Sequence, residues 1–318
     1  MRKQPRSVPV YLIAGFLDSG KTNFLKYTLQ QDYFNDGSKS LLLLCEEGEE
    51  EYPQAMLKKT KTDCVTVDGP EGLTAAALEK YDKQYKPDRV LIEYNGMWSV
   101  QDLLNTPLPG SWAFYQIITI LDGSAFKLYL NNIRKTAVEM LTNADMVIFN
   151  RCTADDPDLV TYQRALRSVN GRAELIFEDK DGQELEAPEP DLPYSLDDPV
   201  IVISDENYGS FYIDLDQHPE RYINKKVRFL AQIMQDKKFP ENVFVAGRRA
   251  MTCCVEDIRF LPYLFVYDRA RSIANNTWAE IQAEIKWEFH EIYQEEGPVF
   301  YVDELKVVTR PKEELIYF

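Results

Sequence analysis

The sequence predicts an α/β domain with a mostly parallel sheet covered by helices, followed by a small all-β domain. Short apolar runs alternate with amphipathic segments up to about residue 178, and one of these runs leads into a glycine-rich loop. From residue 200 the pattern changes to strands alone. Continuous apolar strands separated by helices are typical of a parallel sheet, because both of its faces are buried. A chain of 318 residues with 45% hydrophobic residues is long enough for both cores.

Elements of the first domain are predicted from apolar periodicity. Buried apolar runs predict strands at 8–14, 40–45, 89–93, 117–121, 146–149 and 175–177. Apolar residues at helical spacing predict helices at 21–34, 71–85, 124–141 and 157–169. This alternation indicates βα units that form a parallel sheet.

Acidic, proline-rich residues at 179–199 are predicted to form a linker, because they lack periodicity. Strands of the second domain are predicted at 226–234, 243–246, 263–267, 278–289 and 298–302. About five short strands with turn signals between them suggest a small OB-like barrel. The predicted domains are 1–178 and 200–318, joined by the linker at 179–199.

Composition narrows the classes of function. The chain has 36 Lys and Arg against 52 Asp and Glu, a net charge of −16, which disfavours binding to nucleic acid. No apolar run reaches the roughly 18 residues of a membrane span, and the apolar N-terminal stretch is too short for a signal peptide. Five cysteines with no framework spacing indicate reduced thiols. We therefore expect a cytoplasmic protein without a membrane span.

The segment GFLDSGKT at 15–22 fits the phosphate-binding pattern G-x-x-x-x-G-K-[ST]. It follows an apolar strand and opens an amphipathic helix, where backbone N–H groups and the helix N-terminus attract phosphate. We expect Lys21 to reach the β- and γ-phosphates and Thr22 to offer its hydroxyl to Mg²⁺. An accidental glycine loop is the alternative, and the filled pattern in the right setting argues against it.

Two further acidic segments follow predicted strands. EYNG at 93–96 places Glu93 where it organises Mg²⁺ or the attacking water, and Gly96 where its N–H senses the γ-phosphate. EEGEEE at 46–51 follows the strand at 40–45. It is either a switch loop in which Glu46 approaches the metal, or a solvated charged loop.

Together these segments resemble the CobW branch of the P-loop GTPases, related to HypB and UreG. The family motifs GFLGSGKT, NEFGE, IExxG, VDA, ADxIxxNKxD and NPxA are similar, in this order, to residues 15–22, 45–49, 92–96, 121–123, 144–153 and 170–173. The resemblance spans about residues 8–177. It implies GTP or another NTP with Mg²⁺, slow hydrolysis, and a switch linked to metal homeostasis or metallocofactor delivery. The implied client is a protein such as a metalloprotein or a transporter component.

Departures from the family pattern concern the base and the metal. The aspartate that reads guanine in NKxD is replaced by Thr153, which lacks a carboxylate, so the preference for guanine or adenine stays open. Asp155 or Asp156 substitutes if the loop is shifted. The resemblance places Asn150 at the base, with Arg151 stacked on it.

Where the family carries a CxCC metal motif, this sequence has the single cysteine Cys64. One thiol does not form a tetrahedral thiolate site, so ligand spacing does not support Zn²⁺. We expect Cys45 and Cys64 to be ordinary core cysteines rather than a pair.

The predicted site falls into three groups. The predicted catalytic residues are Lys21 and Glu93. The residues predicted to bind the nucleotide are Gly15, Asp18, Ser19, Gly20, Lys21, Thr22, Asn23, Gly96, Asn150 and Arg151. The predicted Mg²⁺ ligands are Thr22, Glu46 and Glu93.

Residues 224–310 are similar to the soluble domain of the bacterial YcgQ-type proteins that accompany YcgR-type permeases. The similarity lies in FPEN at 239–242, MTCCV at 251–255 and GPV at 297–299, and it implies an OB-like barrel. Cys253 and Cys254 are either metal ligands or structural, and strand geometry favours the structural role, since neighbours point to opposite faces.

The alternatives to a switch are a metal-handling module and an adaptor. In both, the nucleotide is structural, and in the adaptor the β domain docks a partner protein.

Overall fold

A computed structural model describes residues 7–187, 189, 191–251 and 258–318. The chain divides into two compact units, Met1–Pro188 and Glu189–Phe318. Cys253 and Cys254 lie outside the described residues, so the two interpretations of this pair stay as they were predicted.

The first unit contains an eight-stranded sheet among its described residues. Its strands are β1 Val8–Ala14, β2 Ser40–Leu44, β3 Thr62–Thr66, β4 Arg89–Glu93, β5 Trp112–Asp122, β6 Met146–Asn150, β7 Glu174–Glu178 and β8 Glu184–Leu185. Its helices are α1 Lys21–Gln30, α2 Gln54–Lys59, α3 Ala75–Tyr85, α4 Val100–Asn105, α5 Gly123–Asn132, α6 Arg134–Thr142 and α7 Asp158–Val169.

The strand order of this sheet is β3-β2-β4-β1-β5-β6-β7-β8, and its neighbours are parallel except for the β7–β8 pair. Alternate residues of β2 enter different cores, with Leu41 and Leu43 in one and Leu42 in the other. Both faces of the sheet are therefore buried, and the predicted parallel α/β fold is confirmed. Because the strands are parallel, the segments that follow β1, β2, β4 and β6 meet at one edge.

Several predicted bounds need correction. The helix predicted at 21–34 ends at Gln30, because the next residue adopts an extended backbone. The helix predicted at 124–141 is two helices that meet at Ile133, whose φ of −134° is not helical. The strand β8 lies inside the predicted linker and pairs with β7. Short polar elements such as β3 were missed because they carry little apolar periodicity.

The second unit contains a seven-stranded sheet among its described residues. Its elements are β9 Ile201–Val202, α8 Tyr208–Gln217, β10 Lys226–Met234, β11 Val243–Met251, β12 Arg259–Val266, β13 Trp278–His290, β14 Glu295–Val308 and β15 Leu315–Tyr317. The all-β prediction holds for the sheet, and α8 is an addition that was not predicted. The strand predicted at 298–302 runs further at both ends, because pairing with β13 carries its polar residues into the sheet.

Five strands of this unit close into a ring. β10 pairs with β11, β11 with β12, β12 with β14, β14 with β13, and β13 again with β10. Burial alternates along β10, as expected when one face points into a core. Phe211 of α8 packs in this core with Phe229 and Tyr263. In the described part of the chain, every helix is too short or too polar to cross a membrane.

Candidate functional site

The glycine loop lies between the end of β1 and the start of α1, as predicted. Asp18 and Gly20 have positive φ angles of 59° and 103°. A Cβ on Gly20 would lie 2.6 Å from the Asn150 amide nitrogen. Glycine suits this position because it adopts a positive φ easily and has no side chain to contact Asn150. The loop thus turns directly into the N-terminus of α1, where free backbone N–H groups attract anions.

Lys21 is buried and lies against the loop that precedes it. Its Nζ donates to the carbonyls of Gly15 and Phe16 at 2.9 and 2.8 Å, and to Oε2 of Glu46 at 2.8 Å. Glu46 belongs to the acidic segment after β2, so this segment reaches the glycine loop. That contact favours the switch-loop interpretation over a solvated loop. A bound phosphate would compete with Glu46 for the Lys21 ammonium.

Glu93, at the end of β4, is 2% exposed and accepts two hydroxyl hydrogen bonds. Thr22 donates to its Oε1 at 2.6 Å, and Tyr52 donates to its Oε2. Burial raises the pKa of Glu93, while the two hydroxyls and Lys21 oppose this shift. Sequence reasoning missed Tyr52, because a tyrosine after an acidic run matches no motif.

These side chains surround a cavity of about 220 Å³ whose lining includes Lys21, Thr22, Glu46 and Glu93. Hydroxyl and carboxylate oxygens are the donors that Mg²⁺ prefers, so the residues present fit this ion. No group of three or more His, Cys, Asp or Glu side chains is placed to hold a metal within the ranges the structure describes. Mg²⁺ here would therefore take the Thr22 hydroxyl, the two carboxylates and phosphate oxygens.

The other end of the loop contacts the segment after β6. The Asn150 amide donates to the Ser19 carbonyl at 2.7 Å, and Arg151 donates to the Asp18 carbonyl at 2.9 Å. Arg151 also pairs with Asp122 at 2.5 Å. Oγ of Ser19 and Oδ1 of Asn150 are buried without a hydrogen-bond partner among the described residues. Such orphaned polar atoms beside a phosphate loop are consistent with a polar ligand.

Cys45 and Cys64 do not meet, because they lie on opposite faces of the sheet. Cys45 is buried in the core cluster that contains Leu41 and Leu43. Cys64 is exposed and lies beside Leu42, which belongs to the opposite face. The expectation of a core cysteine therefore holds for Cys45 and is wrong for Cys64. Burial raises the pKa of the Cys45 thiol to about 12, which disfavours a thiolate ligand at this position.

We expect the Glu93→Gln variant without nucleotide to be more stable than wild type at pH 7.5, and to lose this advantage near pH 4.5. The pKa of Glu93 is raised in the folded protein, so the folded state favours the protonated carboxyl. The wild type therefore loses unfolding free energy as the pH rises from 4.5, the ordinary pKa of a glutamate, through the pKa of the folded protein. Glutamine keeps an accepting oxygen and carries no charge. Thermal unfolding at both pH values measures the difference, with Glu47→Gln as an exposed control. An advantage that does not depend on pH would contradict the prediction.

A phosphate loop with its lysine and threonine, set between a buried strand and a helix of a parallel sheet, defines a P-loop nucleotide-binding protein. Residues 9–177 match the family described as CobW/HypB/UreG, nucleotide-binding domain. This match covers more than half of the chain, so the chain belongs to that family. Residues 180–318 match the DUF1980 C-terminal domain. Both resemblances described above are thereby confirmed.

Solved structures of similar proteins include HypB hydrogenase maturation factor from Archaeoglobus fulgidus, with 18% identity and a TM-score of 0.40 over 57% of this chain and 85% of that chain. Zn(II)-bound YjiA GTPase from E. coli is 17% identical, with a TM-score of 0.42 over 83% and 89%. HypB from Helicobacter pylori in complex with nickel is 14% identical, with a TM-score of 0.35 over 55% and 80%. No curated protein sequence is significantly similar to the chain.

Proposed function

We propose that the first unit is a Mg²⁺-dependent switch that binds and slowly hydrolyses GTP, with another NTP as the broader alternative. The observation that carries this proposal is the convergence of Lys21, Thr22, Glu46 and Glu93 from three separate segments on one cavity. Phosphoryl transfer needs this combination, since its catalysis consists mainly of positioning and charge neutralisation.

Each residue has a role in this proposal. Lys21 neutralises charge on the β- and γ-phosphates, and Thr22 holds Mg²⁺ together with the carboxylates. Mg²⁺, when bound, neutralises the phosphate oxygens. Glu93 orients the attacking water. The N–H of Gly96 senses the γ-phosphate.

The switch in this proposal is the acidic segment 46–51. Glu46 pairs with Lys21 at 2.8 Å, and Glu50 pairs with Lys26 at 2.6 Å, so the segment is attached twice to α1. Phosphates that bind Lys21 would release Glu46, which is then free to approach Mg²⁺. Nucleotide binding would thereby reposition the whole segment, as γ-phosphate contacts do in other switch loops.

For the second unit we propose an OB-like barrel that docks a client protein. The closed ring of five strands supports this assignment, because the OB fold is a five-stranded barrel. We also propose domains at 1–178 and 200–318 joined by the segment 179–199. We also propose a link to metal homeostasis or metallocofactor delivery through the client protein, and membership of the CobW/HypB/UreG family supports this proposal.

Titration with GTP and ATP, combined with phosphate release in Mg²⁺ or in EDTA, tests the switch proposal. We expect GTP to bind at least about tenfold more tightly than ATP. We also expect phosphate release to stop in EDTA, because EDTA removes the Mg²⁺ that neutralises the phosphates. Equal affinity for ATP would leave an NTPase without guanine preference. Absence of binding to both nucleotides would contradict the proposal.

A further inference from the structure

Glu178 is the last residue of β7 and lies directly beside Asn150. The registers of β6 and β7 pair Phe149 with Phe177, and the Cys152 N–H donates to the Glu178 carbonyl at 2.9 Å. Side chains two residues apart on a strand share a face. Asn150 and Glu178 therefore project from the same face, the one on which Ile148 and Ile176 contact the core.

Both side chains line a second cavity, of about 710 Å³, which extends from Gly20 to the segment after β7. Its apolar lining includes Phe24, Ile120 and Ile148, which suit the faces of a flat ring. Because the cavity reaches the glycine loop, a nucleotide whose phosphates bind that loop can place its base here. Thr153, Asp155 and Asp156 are not among the described lining residues of this cavity.

Three carboxylates of the nearby segments, those of Asp156, Asp179 and Asp181, are engaged elsewhere. Asp156 accepts from the N–H of Asp158 at the start of α7. Asp179 accepts from the N–H groups of Asp181 and Gln183, and Asp181 pairs with Lys180. These three carboxylates therefore already have hydrogen-bond or ion-pair partners within their own loops.

In contrast, no hydrogen bond or ion pair to the Glu178 carboxylate is found in the described part of the chain. Burial and the carboxylates of Glu184 and Asp179 raise its pKa. A half-buried carboxylate beside two other carboxylates is stabilised by N–H donors. A purine base with two adjacent N–H donors on one edge supplies such donors.

We propose that Glu178 is the residue that reads guanine, in place of the carboxylate that is missing at Thr153. Its two oxygens accept the guanine N1–H and a 2-amino N–H in parallel, an arrangement suited to a carboxylate. Adenine presents a ring acceptor at N1, which a carboxylate repels. This inference rests on the proposed nucleotide-binding function, and it assigns base selection to the end of β7.

The test compares wild type and Glu178→Gln for binding of GTP, XTP and ATP. Xanthine keeps the N1–H and replaces the 2-amino group with a carbonyl, and an amide matches this pair because it carries one acceptor and one donor. We expect Glu178→Gln to bind GTP at least about tenfold more weakly and XTP more tightly than wild type does. A gain for XTP cannot arise from damage to the fold.

Glu184→Gln is the matched control, because Glu184 pairs with Glu178 across the β7–β8 register and is exposed. It should keep the wild-type order of affinities. Equal losses of affinity for GTP, XTP and ATP in Glu178→Gln, or no change in affinity, would overturn the inference. If wild type still binds GTP in that case, the proposed function stands. If wild type binds none of the three nucleotides, the proposed function fails and this inference fails with it.

Discussion

The Lys21→Ala variant is expected to bind GTP roughly 100-fold more weakly than wild type, or worse, and to release no phosphate. Truncating one member of a buried, hydrogen-bonded charge pair costs about 2–5 kcal/mol in binding. The Lys21 side chain is 4% exposed, and hydrogen bonds to the Gly15 and Phe16 carbonyls hold its ammonium against the glycine loop. The variant also removes the cation that pairs with Glu46. The negative charge of Glu46 is then no longer neutralised, and it repels the nucleotide.

Lys83→Ala is the control, since it removes one positive charge from the same unit. Lys83 is 76% exposed and pairs with Glu79 along α3 at 3.5 Å, a surface pair worth little. Its GTP affinity should match that of wild type. Calorimetric titration measures both variants, and thermal unfolding confirms that Lys21→Ala is folded. Wild-type affinity in a folded Lys21→Ala protein would show that the glycine loop does not hold the phosphates.

The Gly96→Ala variant should lose about 1–3 kcal/mol of unfolding free energy, because it overpacks a tight contact. An added Cβ would lie 2.4 Å from the Gly15 carbonyl oxygen and 2.7 Å from the Phe16 Cα. Both are backbone atoms of the glycine loop, so the strain cannot be relieved by a side-chain rotation. The loop must shift, and we expect GTP affinity to fall together with stability.

Gly110→Ala serves as the comparison, because an added Cβ there has no neighbour within 4 Å. Denaturant unfolding of both variants, followed by GTP titration, separates the two sites. If Gly96→Ala and Gly110→Ala behave alike, the close approach between the segment after β4 and the glycine loop does not matter for binding. A loss of affinity without a loss of stability would instead show that the added methyl group disturbs nucleotide binding directly.

Much of the fold follows from the sequence, because buried strands are continuous apolar runs. The bounds predicted for β1, β4 and β10 agree with the structure. Polar ends were missed, as in β11 and β14, since their pairing is set by neighbouring strands rather than by their own apolar residues. The helix α8 was also missed, because its aromatic residues fit a strand pattern equally well.

By itself the sequence determined the class of the fold, the phosphate loop and the family, because these depend on local periodicity and on a contiguous motif. The tertiary structure alone decided which distant groups meet. The hydrogen bond of Asn150 to Ser19 joins residues 131 positions apart, and that of Thr22 to Glu93 joins residues 71 apart. Glu178 comes beside Asn150 only through the register of two parallel strands. Local pattern carries no information on such contacts, since they depend on how the sheet orders its strands.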